Sequence, residues 1–166
     1  MAETLDTKFF SNMLGYSNTS SYFPIKRSFG QTLQSCDMDA LIAYTKLSQN
    51  KNPVEQNIEF LIAGLCYNTI RPGFDRTIYV KFEDVLARLN RPDEIEKFLK
   101  LRYDNEGYFA KRFYTLARKV IPLLQPYEQF DYIRLFKDLK YWNFDNNVKM
   151  KWAMAIARAS YSEENV

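Results

Sequence analysis

The sequence contains no histidine, which removes every mechanism that uses an imidazole as general base, triad member or metal ligand. With only two cysteines, Cys36 and Cys66, a zinc site of the usual nitrogen and sulfur composition cannot be assembled. Nor is a disulfide framework indicated, and both cysteines read as reduced core residues of a cytoplasmic protein. The five glycines, at positions 15, 30, 64, 73 and 107, are too scattered for a P-loop or a dinucleotide fingerprint. The longest apolar run, residues 60–67, falls far short of the roughly 20 residues of a membrane span. Glu3 and Asp6, with no basic stretch beside them, speak against a secretory signal. Carboxylate-only catalysis, oxygen-ligand metal binding and no catalysis at all survive these absences.

What is present is ordinary globular material: 166 residues, 46% hydrophobic and 26% charged, enough for one domain or two very small ones. Six prolines punctuate the chain, and the segments between them read mostly as helix. Residues 6–14 carry Phe9, Phe10, Met13 and Leu14; residues 38–48 carry Leu41, Ile42, Tyr44 and Leu47 near helical spacing. Pro53 suits the first turn of a helix to about residue 69, with Ile58, Leu61, Ile62 and Leu65 on one face. A short helix follows at 82–89. Pro92, Asp93 and Glu94 then start another, with acids at the positive end of the dipole. Further helices are expected at about 106–121, from the Asp131 cap through Trp142 with Ile133, Phe136 and Leu139 facing inward, and from Asn146 or Asn147 onward, where Val148, Trp152 and Ile156 share a face. Residues 77–80 are the only plausible strand. The expectation is an all-α assembly of about seven to nine helices. It divides near residue 90 into an N-terminal sub-bundle (1–90) and a C-terminal one (91–166), or forms one continuous domain.

The net charge is only +3, but its distribution is uneven. Between Lys97 and Lys119 seven bases (Lys97, Lys100, Arg102, Lys111, Arg112, Arg118 and Lys119) face two acids, a local net of +5. A basic strip on a nearly neutral body is a candidate footprint for phosphates. At 100° per residue, Phe109, Phe113, Leu116 and Val120 define a buried stripe, and Lys111 and Arg118 project opposite to it. Arg112 and Lys119 flank that pair, and none of the four has an acid partner within the helix. Charge alone leaves a solvated helix face as an equal alternative. Arg134, Lys137 and Lys140 form a weaker strip interleaved with Asp138 and read as solvated. Lys26 and Arg27 are an isolated basic doublet.

Twelve tyrosines are present. Tyr103, Tyr108 and Tyr114 lie among the basic residues, where they suit base stacking, although core packing explains each of them as well. Paired acids that a carboxylate enzyme would need occur at Asp37 and Asp39, at Glu83 and Asp84, and at Asp93, Glu94 and Glu96. Each group sits at a helix start, where capping and the dipole account for it. No catalytic residue, metal site or cofactor is therefore expected. A helical adaptor that binds only protein remains the alternative to nucleic-acid binding.

In order and spacing, these features resemble the CasB family, the small subunit of the type I-E CRISPR surveillance complex, Cascade. Ile25-Lys26-Arg27 resembles the family's apolar-Arg-Arg element, followed by two N-terminal helices at 34–48 and 58–66. Residues 82–86 and 96–99 are similar to its short helix and the segment after it, and Leu116-Ala117-Arg118-Lys119-Val120 to its L-R-R-L helix. Phe130-Asp131-Tyr132, Leu139-Lys140-Tyr141-Trp142 and residues 148–153 match its closing D-W, L-x-x-W and V-K/R-x-x-W-A series. The likeness covers about residues 9–160.

The resemblance implies a non-catalytic subunit, assembled as a small head-to-tail oligomer. It would contact the backbone subunits, the large subunit and guide RNA, and hold the target duplex open against the displaced non-target strand. Carried over residue by residue, the nucleic-acid contacts would fall on Lys26, Arg27, Arg118 and Lys119. Lys111 and Arg112 join them by the face argument, with Lys97, Lys100 and Arg102 beside them.

Overall fold

In a computed structural model, which describes the backbone of residues 5–16 and 20–164 and the side chains of residues 8–16 and 21–159, nine α-helices carry the described residues. They are α1 (Leu5–Gly15), α2 (Phe23–Arg27), α3 (Met38–Leu47), α4 (Pro53–Asn68), α5 (Phe82–Ala87), α6 (Pro92–Leu99), α7 (Tyr108–Val120), α8 (Tyr132–Lys140) and α9 (Asn146–Glu164). Two three-residue strands, β1 (Ile78–Val80) and β2 (Glu128–Phe130), complete the fold. The all-α expectation holds, and residues 77–80 do hold a strand.

Helix α4 is the axle. Asn52 accepts hydrogen bonds from the Val54 and Glu55 amides, and Pro53 fills the first helical position, where no amide donor is needed. The sequence reading gave this helix one apolar face, but every residue from Asn57 to Tyr67 is buried. The apolar run that is too short for a membrane is instead a helix wrapped on all sides, packed by α2, α8 and α7. Gly64 lets one neighbour in: a Cβ there would stand 2.8 Å from the Phe29 ring.

The strand the sequence did not predict is β2. It pairs in parallel with β1, Ile78 opposite Glu128 and Val80 opposite Phe130, with α5, α6 and α7 in the connection between them. Two arginines secure the junction. The Arg76 guanidinium donates to the carbonyls of Thr69, Gln125 and Glu128 at 2.8, 3.0 and 2.9 Å. Arg88 donates to both oxygens of the buried Glu128 carboxylate at 2.6 and 2.8 Å, holding that carboxyl below its usual range.

Asp131, directly after β2, accepts from the Arg134 amide and starts α8. Its buried stripe is Tyr132, Leu135, Phe136 and Leu139. Ile133, expected to face inward, is 38% exposed, because 132, 135, 136 and 139 follow the i, i+3, i+4, i+7 rule more closely than 133, 136 and 139. Ile42 of α3 is likewise exposed, and α3 packs through Ala40, Ala43, Tyr44 and Leu47.

Trp142 and Trp152 meet edge to face, ring centroids 5.1 Å apart, and both are buried. Each indole finds an acceptor, Leu101 O at 2.8 Å and Asp138 Oδ2 at 3.0 Å. Phe98 of α6 touches both tryptophans and also Phe109 and Phe113 of α7. This aromatic cluster fixes α6 against α7. Buried apolar residues from Phe9 to Trp152 form one cluster that crosses residue 90. Among the described residues no helix is long and apolar enough to cross a membrane.

Candidate nucleic-acid interface

The start of α7 is set by Asp104, one of the two acids counted against the basic strip. Its carboxylate accepts from the amides of Glu106, Gly107, Tyr108 and Phe109 at 2.9–3.3 Å, so its charge is spent on the helix N-terminus. Gly107 supplies the left-handed turn, φ +105°, and the helix begins at Tyr108 rather than at Glu106. From there Phe109, Phe113, Leu116, Ala117 and Val120 are buried, and Lys111, Arg112, Arg118 and Lys119 are all exposed.

The four cations divide into two sets. Lys111 and Arg118 lie on the outer line of the helix. Lys111 has no ion pair among the described residues, and Arg118 stacks over the Tyr114 ring, 5.5 Å from its centroid. Tyr114 in turn packs edge-on to Phe29 at 5.2 Å. The turn that follows Lys26 and Arg27 therefore lies directly against α7. Lys26 sits over the Phe23 ring at 6.0 Å, and Arg27 is exposed at the C-terminal end of α2.

Arg112 and Lys119 fall roughly 80° from the centre of the buried stripe and border α6. There a cleft of about 290 Å³ opens between the two helices. Glu94, Lys97, Arg112 and Lys119 stand around it, over a floor of Phe98, Thr115 and Leu116. Lys119 Nζ donates to both Glu94 oxygens, at 2.9 and 3.0 Å. That hydrogen bond, with the charges of Lys119, Arg91 and Lys97, holds the Glu94 carboxyl below its usual range. Sequence reasoning found the cations but missed this acid and the cleft. Nothing in the local spacing signals either, because the pair and the cleft lie between two helices rather than along one.

Lys100 and Arg102 lie elsewhere. Lys100 closes α6 and pairs with Glu96 at 3.3 Å, both side chains largely exposed. Arg102 stands beside Lys149 of α9, whose ammonium is pushed down by burial and then by the Arg102 charge. Lys149 donates to Leu101 O at 3.3 Å and covers the Trp142 ring. The contiguous basic strip of the sequence is thus three places in space: the outer line of α7, the cleft between α6 and α7, and the segment leading to α9.

Of the three tyrosines near the strip, Tyr103 packs on Phe109 and Tyr114 on Phe29. Tyr108 alone of the three is largely exposed, at 59%. The weaker strip on α8 is not a solvated row. Asp138 is buried beneath Trp152 and Lys151, Lys140 pairs with Glu55 at 3.6 Å, and Arg134 is half-buried; Lys137 remains exposed.

The acids considered for catalysis are dispersed. Asp37 accepts from the Ala40 amide and starts α3. Glu83 is more than a helix-start acid: it is buried, and burial pushes its carboxyl up, with Asp138 and Arg134 close by. Among the described residues no three Cys, Asp or Glu side chains gather as a metal site would require. Both cysteines are free, and burial pushes the Cys66 thiol up to about 12.

Residues 24–155 match the family model described as CRISPR-associated protein Cse2. The chain also superposes on M. ruber CasB with a TM-score of 0.70 at 16% identity, covering 99% of this chain and 98% of that one. A Cse2-family CRISPR-associated protein from Thermus thermophilus gives 0.66 at 14% identity, covering 93% and 99%. No curated protein sequence matches the chain.

Proposed function

The chain belongs to the Cse2 family of CRISPR-associated proteins, and we propose on that premise that it is the non-catalytic small subunit of a type I-E, RNA-guided Cascade complex. In this role it binds nucleic-acid backbone through α7 and the helix end at Lys26 and Arg27, and stabilises the displaced non-target strand. The observation that carries the reading is the face of α7. Four cations are exposed on one side of a helix whose other side is core, and only Lys119 of the four is ion-paired among the described residues.

The mechanism needs no bond to be made or broken. Pairing a guide RNA with one DNA strand exchanges one duplex for another of similar stability, so modest backbone contacts tip the balance. Lysine and arginine on a rigid helix neutralise phosphates of the displaced strand and slow its return. Such contacts carry little sequence information. Arg118 is the best oriented of them, because the Tyr114 ring beneath it is itself wedged on Phe29 and Gly30. Lys97, Arg112 and Lys119 offer a second group of donors in the cleft. Lys100 and Arg102 extend the surface toward α9. The neighbours in the complex are the backbone and large subunits, guide RNA and a further copy of this chain. Exposed apolar side chains such as Phe144, Met38 and Tyr79 suit protein contacts of that kind.

Reconstitution tests the reading. Complex assembled with the wild-type chain should leave the thymines of the displaced strand open to permanganate over the whole target. With Lys111→Glu and Arg118→Glu the complex should assemble but lose that reactivity at moderate salt. Full reactivity with the doubly reversed chain would favour the protein-only adaptor.

A further inference from the structure

We propose that Glu94 is a built-in phosphate substitute: its carboxylate occupies the anion position of the cleft between α6 and α7, and a nucleic-acid phosphate must displace it to engage Lys119. The inference rests on reading α7 as a backbone-binding surface and adds how one part of that surface is regulated.

Three observations support it. The carboxylate is held by both oxygens against one ammonium, at 2.9 and 3.0 Å, which is how a phosphodiester with its two free oxygens would sit. Around the cleft, three cations (Lys97, Arg112 and Lys119) accompany this one acid, with Arg91 also close enough to act on it. The pair leaves the cleft short of negative charge even with Glu94 in place. Lastly, the start of α6 does not depend on Glu94 in particular. Asp93 sits beside it in the first turn of α6 and serves the helix dipole equally well. Its side chain is 42% exposed, so the carboxylate sits at the rim of the cleft, within reach of an incoming strand.

The physical consequence is competition. With the carboxylate in place, a phosphate gains the field of Lys97 and Arg112 but meets Lys119 already neutralised. Releasing Glu94 costs the existing pair and places a negative charge near the incoming strand. A single phosphate therefore gains little from the cleft. A strand held already by Lys111 and Arg118 supplies the local concentration needed to take Glu94's place. The glutamate thus makes the cleft answer to a strand that is docked along α7, rather than to any passing anion.

The test uses the full chain and a fluorescein-labelled single-stranded oligodeoxythymidine, with binding followed by anisotropy at low salt. Glu94→Gln keeps the shape of the side chain and removes its charge. It should tighten binding by about two- to fivefold, the effect expected of one exposed ion pair. The gain should vanish in the double variant Glu94→Gln/Lys119→Gln, which should bind like Lys119→Gln alone. Affinity of Glu94→Gln equal to or weaker than wild type, with an unchanged melting temperature, would overturn the proposal and leave Glu94 as a brace between two helices. The variant Lys97→Gln/Arg112→Gln separates the two readings. If it loses affinity while Glu94→Gln gains none, the competition is wrong and the binding surface stands. If it binds like wild type, the cleft is no phosphate site at all.

Discussion

Gly30 lies against Tyr114 so closely that a Cβ on the glycine would stand 2.7 Å from the tyrosine Cβ. The glycine also holds φ +96°, a conformation that costs other residues roughly 1–2 kcal/mol. This contact joins the turn after Lys26 and Arg27 to the helix that carries Arg118. Gly30→Ala should therefore destabilise the chain by more than about 2 kcal/mol, the backbone strain and the overpacking acting together. Urea denaturation measures it, and a change under about 0.5 kcal/mol, the scatter of surface substitutions, would show that the turn is not locked on α7.

Trp152 is fully buried among Phe82, Phe98 and Trp142. Trp152→Ala should cost about 3–5 kcal/mol. Trp152→Phe should cost less, but it also removes the indole donor to Asp138 and strands a buried acceptor. A chemical denaturation series on both variants checks the order.

Burial pushes the Glu83 carboxyl above its ordinary value of 4.5, so the folded state disfavours its charged form. Below that value the group is protonated in folded and unfolded chains alike and no penalty exists. As pH rises, the unfolded chain ionises first and stability falls. Glu83→Gln should raise the melting temperature at pH 7 by about 2 °C, with the advantage fading as the pH is lowered toward 4. An advantage that is constant across pH would assign the effect to something other than ionisation.

The Arg88–Glu128 pair joins the end of α5 to β2. Arg88→Ala leaves a buried carboxylate with the Gln125 amide as its remaining hydrogen-bond donor and should cost about 2 kcal/mol at neutral pH. Because the pair holds the Glu128 carboxyl below its usual range, its stabilisation is complete above the ordinary value and lost as pH falls through the folded one. The gap between wild type and Arg88→Ala should therefore close in acid, as melting curves at pH 7 and pH 3 would show.

The sequence displayed most of the helices and the exposed side of α7, because both follow from local spacing. Phe109, Phe113, Leu116 and Val120 mark their stripe without help from the rest of the chain. It did not display β2, whose three residues acquire strand form only by pairing with β1 across the intervening helices. Nor did it show that Asp138 would be consumed by Trp152, or that Glu94 would reach Lys119, since both pairings cross helices. Ile133 and Ile42 misled because an apolar residue at the margin of a stripe is sorted by its neighbours rather than by its own hydropathy. Lys100 and Arg102 counted toward a basic strip that the chain turns away from α7.

If α7 neutralises nucleic-acid phosphates, the salt dependence of binding must change when its cations are removed. Neutralising Lys111 and Arg118 to glutamine in the assembled complex, on a fully matched target, removes two contacts to a single strand. The slope of log K against log salt should flatten by about 1.4, at roughly 0.7 per contact, with base preference unchanged. The control pair, Lys46→Gln with Lys137→Gln, removes the same charge from exposed positions on α3 and α8 and should leave the slope unaltered. Equal flattening by both pairs, or none by the first with assembly intact, would contradict the account.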